Sequence, residues 1–195
     1  MCGVIGIIYK NTKELGLASV GVDLIKMLSA LEHRGRDSTG VTISGLDTKA
    51  DYIIRYRIDN EKSSIADLLL QKISGFGAVI EYSYFEKGFG KICINYEEDI
   101  SELANSITLI EEVEVDSIGT NSEIVKDIGN AVSLNNNHLI REIKGTHGIG
   151  HVRMATESKI DISHAHPFWA YPFPDISVVH NGQLTSLYSE AFLKY

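Results

Sequence analysis

Apolar positions divide the N-terminal part of the chain into a strand, a helix and two further strands. An apolar run over 4–9 predicts the first strand. Over 15–33 the apolar side chains recur every three or four residues, which is the period of an amphipathic helix. Apolar and polar residues alternate over 41–43 and again over 52–56, and this predicts two strands joined through a turn at 45–47.

Between residues 63 and 95 the pattern predicts a second helix and then strands. Ser64 and Asp67 have the spacing of a capping box, and the apolar face that follows them ends before Gly75. The strand-like runs after Gly75 are interrupted by glycines that complete neither a dinucleotide-binding nor a phosphate-binding motif. Cys93 alternates with apolar neighbours in one of these runs, so we expect it to be buried and without a chemical role.

The remainder of the chain combines helical spacing with two strand patterns. Over 97–137, apolar residues such as Ile124 and Ile128 lie at helical spacing, so helices are expected there. A glycine-punctuated strand pattern begins at 145 and leads into a polar loop. The strand pattern over 176–180 breaks at Asn-Gly, a dipeptide that tolerates positive φ and presents its backbone N–H groups.

Composition places the chain among ordinary soluble domains. With 195 residues, of which 44% are hydrophobic and 23% charged, it is long enough to bury a core, and we expect a single domain over 1–195. The net charge of −8 argues against nucleic-acid binding and against a polybasic membrane patch. Its two cysteines lack a paired spacing, which favours a reducing, cytoplasmic location. The apolar run at the N-terminus is too short to span a bilayer.

Five of the seven histidines lie between 147 and 180, which raises the question of a metal site. On a strand, His147 and His151 would share one face about 13 Å apart, too far for one zinc ion. His164 and His166 could chelate together, but no well-placed third ligand is evident. A metal site is therefore the less favoured interpretation, and no cofactor is expected.

The alternative to a metal site is a catalytic site in which Cys2 is the nucleophile. If Met1 is removed, one residue carries a thiol and a free α-amine, with unperturbed pKa values of roughly 8.5 and 7.7 to 8.0. The amine can then act as the base that activates the thiol. Asn181 and Gly182 could donate to a developing oxyanion, and Arg153 could hold a carboxylate through paired hydrogen bonds. Each of these residues alone is more typical of a structural role.

Five short motifs follow one another along the chain. They are Cys-Gly-Val-Ile-Gly-Ile at 2–7, Leu-Glu-His-Arg-Gly-Arg-Asp-Ser-Thr-Gly at 31–40, Gly-His-Val-Arg-Met-Ala-Thr at 150–156, Ala-His-Pro-Phe at 165–168 and His-Asn-Gly at 180–182. In content, order and spacing they resemble the class II glutamine amidotransferases, which are N-terminal nucleophile hydrolases. The third and fourth motifs are most similar to those of stand-alone amidotransferase subunits of the glutamate-synthase type.

This resemblance implies an α+β fold with a four-layer α/β/β/α sandwich and a reaction that releases ammonia from glutamine. Cys2 would attack the side-chain amide of glutamine and form a thioester, which water then hydrolyses. Asn181 and Gly182 would form the oxyanion hole. The ammonia would pass to an acceptor site on a synthase subunit or domain.

The same resemblance assigns the residues around the nucleophile. Arg153 would pair with the α-carboxylate of glutamine, and Thr156 in the same loop would contact the substrate. Arg34 and His166 would support the site. No cofactor is implied for this half reaction.

The sequence also departs from the family pattern. The family carries an acidic motif well after the Asn-Gly pair to bind the substrate α-amine, and the sequence reaches Tyr195 without one. We therefore expect the C-terminal part of the sandwich to be missing from these residues. A retained Met1 would block the amine, and the alternative hypothesis is then an inactive, amidotransferase-like interaction or regulatory domain.

Overall fold

The computed structural model describes residues 2–59, 62–155 and 160–182. Its strands are β1 (Gly3–Ile8), β2 (Ser38–Ser44), β3 (Tyr52–Ile58), β4 (Val79–Glu86), β5 (Phe89–Asn95), β6 (Val113–Gly119), β7 (Ser122–Ile128), β8 (His147–Arg153), β9 (Phe168–Trp169) and β10 (Ser177–Val178). Its helices are α1 (Thr12–Leu15), α2 (Val20–Ala30), α3 (Ser63–Gly75), α4 (Ile100–Thr108) and α5 (Ala131–His138), with short 3-10 helices at Glu32–Arg34 and Ile140–Glu142.

The first sheet holds the N-terminal strand against the end of β8. Its order is β1-β8-β2-β7, and neighbouring strands are antiparallel. Helices α2 and α5 pack on one face of this sheet, where Leu24 and Leu28 of α2 share a buried core with Ile5 and Val41. Because Gly3 pairs with Val152, Cys2 comes to lie beside the end of β8.

The second sheet is built from one continuous stretch of chain, β3-α3-β4-β5-α4-β6. Its strand order is β4-β5-β3-β6 with antiparallel neighbours, which is the split βαβ topology of ferredoxin-like folds. Helices α3 and α4 contribute Leu69 and Leu103 to a core of its own, together with Ile54 and Ile92 from the strands. This unit is inserted between β2 and β7 of the first sheet.

Buried ion pairs connect the two sheets. Arg55 on β3 donates to Glu123 on β7 over 2.6 Å, and the ammonium of Lys91 lies 3.0 Å from the same carboxylate oxygen. Burial alone would raise the pKa of Glu123, but the charges of Arg55 and Lys91 hold it below its usual value. Asp116 on β6 similarly joins Arg57 of β3 to the ammonium of Lys126 on β7.

Residues 160–182 contact β2 of the first sheet and the turn between β6 and β7, and polar contacts fix them there. The carboxylate of Asp175 accepts hydrogen bonds from the backbone N–H groups of Thr120 and Asn121 and from the hydroxyl of Ser122, in the turn between β6 and β7. The hydroxyls of Thr42 and Ser177 are 2.8 Å apart. The segment that ends in Asn-Gly is therefore attached to both sheets.

The structure confirms the α+β class and corrects several predicted elements. The helix predicted over 15–33 is shorter, because Gly16 has a φ of +79° and Ala18 pairs with Gly145 as in a strand, so α2 begins only at Val20. The predicted capping box is wrong. The N-cap of α3 is Lys62, and no side chain caps that helix.

The prediction of helices over 97–137 is wrong for 113–119 and 122–128, which form the strands β6 and β7. Ile124, Val125 and Ile128 lie on β7, where six of seven residues are buried. In β7 the adjacent apolar residues Ile124 and Val125 are flanked by charged residues that are buried in ion pairs, so the strand lacks the alternation of apolar and polar residues that reveals a strand in a sequence. Cys93 is half-buried, on the face of β5 opposite Ile92 and Ile94, and is not part of either apolar core.

Among residues 2–59, 62–155 and 160–182, no helix is both long enough and apolar enough to cross a membrane.

Candidate functional site

Three separate segments of the chain converge on Cys2. Nε of Arg34 donates a hydrogen bond to the carbonyl oxygen of Cys2 over 3.0 Å, and Nδ2 of Asn181 donates to the same oxygen, also over 3.0 Å. The thiol points to the carbonyl oxygen of Met154, at 3.9 Å. Cys2 is partly exposed, so a ligand can reach it. Two other residues predicted from the sequence, Arg34 and Asn181, thus contact the predicted nucleophile directly.

Arg34 reaches Cys2 because Gly35 lets its turn approach the end of β8. A Cβ atom on Gly35 would lie 2.4 Å from the carbonyl carbon of Arg153. The next contact comes from Asp37, whose backbone N–H donates to the Arg153 carbonyl and whose carboxylate accepts from the N–H of Ala155. Asp37 therefore holds the loop after β8 in place. Within the motif at 31–40, the sequence had assigned a role only to Arg34.

Arg153, the predicted carboxylate ligand, is the last residue of β8 and is only 6% exposed. Its positive charge disfavours protonation of His151 and His166 and so contributes to their lowered pKa values. Arg153 therefore interacts electrostatically with both rings. Thr156, the predicted substrate contact in the loop that follows, lies outside the described residues, as does Met1. The structure therefore leaves the contact from Thr156 as a prediction.

His166, the second predicted supporting residue, is half-buried and packs in a stack of rings. Its ring centroid is 4.3 Å from that of His151 and 4.4 Å from that of Phe168. His151 is fully buried, and its Nε2 donates to the carbonyl oxygen of His180 over 3.1 Å. Burial lowers the pKa of His151 to about 4 and that of His166 to about 3, so both rings are neutral near pH 7.

Asn181 and Gly182 lie at the exposed end of this segment, directly after His180. The side-chain amide of Asn181 lies beside Cys2, where it donates to the backbone carbonyl oxygen. A Cβ atom on Gly182 would lie 2.8 Å from the ring of His180, so a side chain there would displace that ring.

The lowered pKa values of His151 and His166 predict that the protein loses stability in mild acid. Their pKa values lie below the unfolded value of about 6.5, so the unfolded chain binds more protons as the pH falls through the range from about 6.5 to 4. Each histidine then lowers the free energy of unfolding by up to about 1.4 kcal/mol per pH unit. Urea unfolding at pH 7, 6 and 5 measures this slope, and equal stability at the three values would contradict it.

A cavity of about 910 Å³ lies elsewhere, between the second sheet and the β7 side of the first. Its walls include Tyr84, Lys91, Cys93, Glu123 and His138. Among the described residues, none of the site residues predicted from the sequence lines this cavity. The candidate site lies instead at the start of β1, around Cys2.

Fold and site together define an α+β protein in which a cysteine directly before the first strand is hydrogen-bonded to an Asn-Gly segment. No family model matches the chain. It is similar to curated proteins that are named as glutamine amidotransferases or as like them.

One of these relatives, from Methanothermobacter thermautotrophicus, is named "Putative glutamine amidotransferase" and is 37% identical over 195 residues. Another, from Rhizobium meliloti, is named "Glutamine amidotransferase-like protein GlxB" and is 28% identical over 186 residues. Each match covers 95% of this chain. The chain spans 62% and 60% of the lengths of these relatives. The names support a relationship to the glutamine amidotransferases.

Proposed function

We propose that the chain is the glutaminase part of a class II glutamine amidotransferase and that Cys2 is its N-terminal nucleophile. The observation that carries the proposal is the convergence of Arg34 and Asn181 on the backbone of Cys2, from positions far apart in the sequence. The names of the relatives support glutamine as the substrate.

The reaction would begin at the thiol of Cys2, once Met1 has been removed. The free α-amine accepts the thiol proton, directly or through a water molecule, and the sulfur forms a bond to the amide carbon of glutamine. The carbonyl becomes an oxyanion, which accepts hydrogen bonds from Nδ2 of Asn181 and the backbone N–H of Gly182. Each donor of this kind contributes roughly 2.7 to 4 kcal/mol to transition-state stabilisation.

The intermediate would then collapse to products. The C–N bond breaks, the protonated amine returns its proton to the leaving nitrogen, and ammonia departs, which leaves a γ-glutamyl thioester on Cys2. Water adds to the thioester and releases glutamate and the free thiol. Arg153 would pair with the α-carboxylate of glutamine during both steps, and Thr156 would contact the substrate in the same loop. His166 would support the site through its ring stack.

The proposal extends to the fold and to the partner. Helices on one face of each sheet, with ion pairs joining the sheets, support the four-layer arrangement of N-terminal nucleophile hydrolases. We further propose that the ammonia reaches a synthase partner of the glutamate-synthase type. The acceptor lies on a subunit or domain other than these residues.

A covalent trap tests the proposal. The diazo-ketone analogue of glutamine, 6-diazo-5-oxonorleucine, is expected to alkylate the sulfur of Cys2 in protein whose mass shows that it starts at Cys2. Peptide mass spectrometry locates the adduct, and an excess of glutamine is expected to protect against it. Without an adduct or glutamate release from such protein, the glutaminase proposal fails in favour of an inactive, amidotransferase-like domain.

A further inference from the structure

We propose that His151 is a positioning residue that holds Asn181 in place for the oxyanion. This inference rests on the proposed function and adds a residue to it. His151 lies on β8, two residues before Arg153, and reaches the Asn-Gly segment through a hydrogen bond between its side chain and the backbone.

A continuous path of hydrogen bonds connects His151 to the backbone of Cys2. Nε2 of His151 donates to the carbonyl oxygen of His180, which belongs to the peptide group that leads into Asn181. Nδ2 of Asn181 in turn donates to the carbonyl oxygen of Cys2. The imidazole therefore links the central part of the first sheet to the residue that faces the nucleophile.

The hydrogen bond to His180 defines the protonation state of the His151 ring. A carbonyl oxygen only accepts hydrogen bonds, so Nε2 of His151 must carry the proton, and in the neutral ring Nδ1 is then bare. Nδ1 is buried and has no hydrogen-bond partner among the described residues. An apolar side chain would fill the same space without burying an unsatisfied nitrogen. The contribution that such a side chain cannot make is the bond to His180.

The surroundings of His151 fix the position of its ring. His166 stacks on it, and the carbonyl oxygen of His166 lies so close to β2 that a Cβ atom on Gly40 would come within 2.2 Å of it. Asp175 and Ser177 anchor the earlier part of the segment to the turn after β6 and to β2. His151 contacts the residue immediately before Asn181, where a small shift moves the oxyanion donor directly.

Two substitutions at this position separate hydrogen bonding from packing. His151→Leu removes the donor, and His151→Gln keeps an N–H group near the position of Nε2. We expect kcat for glutamine hydrolysis to fall about 10- to 100-fold in His151→Leu, since the loss of one oxyanion donor costs about 10²- to 10³-fold and here the donor is displaced rather than removed. KM is expected to stay within about twofold, because the donor acts in the transition state.

The conservative variant and a matched control sharpen the test. His151→Gln is expected to restore kcat to within about fivefold of the wild type, which a purely steric role would not produce. His147→Leu changes an exposed histidine on the same strand and is expected to leave kcat unchanged. If His151→Leu does not fold, His151→Phe takes its place, since it keeps a ring for the stack with His166.

Hydrogen exchange measures the same inference without catalysis. In His151→Leu, the backbone amides of residues 180–182 are expected to exchange about tenfold faster than in the wild type, since an anchoring contact has been lost. If exchange is faster in His151→Leu but the wild-type protein does not hydrolyse glutamine, the positioning role of His151 is supported and the glutaminase proposal is wrong. Unchanged exchange together with unchanged kcat would overturn the role of His151.

Discussion

Replacing Cys2 by alanine is expected to reduce glutamine hydrolysis by roughly 10⁴-fold or more, as removal of a catalytic nucleophile does in other acyl-transfer enzymes. Without the sulfur no thioester can form. The contacts from Arg34 and Asn181 to the backbone of residue 2 cannot replace the missing nucleophile. Glutamate release from the Met-free protein measures the effect. Thermal unfolding of the variant is expected to be nearly unchanged, because the Cys2 side chain is only partly buried.

Cys93 provides the matched control for this prediction. It is half-buried on β5, and burial raises the pKa of its thiol, although Lys91 nearby opposes that shift. A thiol with a raised pKa is a poor nucleophile at neutral pH. Cys93→Ala is therefore expected to keep full activity and full labelling by the diazo-ketone. If Cys93→Ala lost activity and Cys2→Ala kept it, the nucleophile would have to be reassigned.

Glu123→Gln is expected to lower the free energy of unfolding by about 3 to 5 kcal/mol, the usual cost of removing one partner from a buried ion pair. Glu123 is 2% exposed and is the carboxylate shared by Arg55 and Lys91. In the variant, two cations face each other between the sheets with no negative charge between them. Urea unfolding followed by circular dichroism at pH 7 measures the loss.

An exposed ion pair serves as the control for this effect. Lys62 and Glu112 also form a hydrogen-bonded ion pair, but half of the Lys62 side chain and a third of that of Glu112 are exposed. Such pairs contribute roughly 0.2 to 1 kcal/mol, so Glu112→Gln is expected to change stability little. Equal effects of the two substitutions would mean that the connection between the sheets does not depend on the buried charge.

The local pattern of the sequence predicted the elements whose two faces differ. Strand β1, the central part of α2, and strands β2 and β3 follow from periodicity, because one side of each carries residues of a different kind from the other. The motifs also identified Cys2, Arg34 and Asn181 as one group, and the structure places them in contact. Arg153 is the last residue of β8, whereas the contact from Thr156 remains a prediction.

The tertiary structure alone decided the features that depend on strand register and on the pairing of buried charges. The adjacent Ile124 and Val125 of β7 break the alternation of apolar and polar residues, and the helical spacing over 97–137 concealed β6, so the inserted βαββαβ unit could not be recognised from the sequence. Asp37 contacts Ala155, and His151 contacts His180, across long intervals of sequence. The pairing of β1, β8 and β2 sets such contacts, and no local period encodes which residues a register brings together.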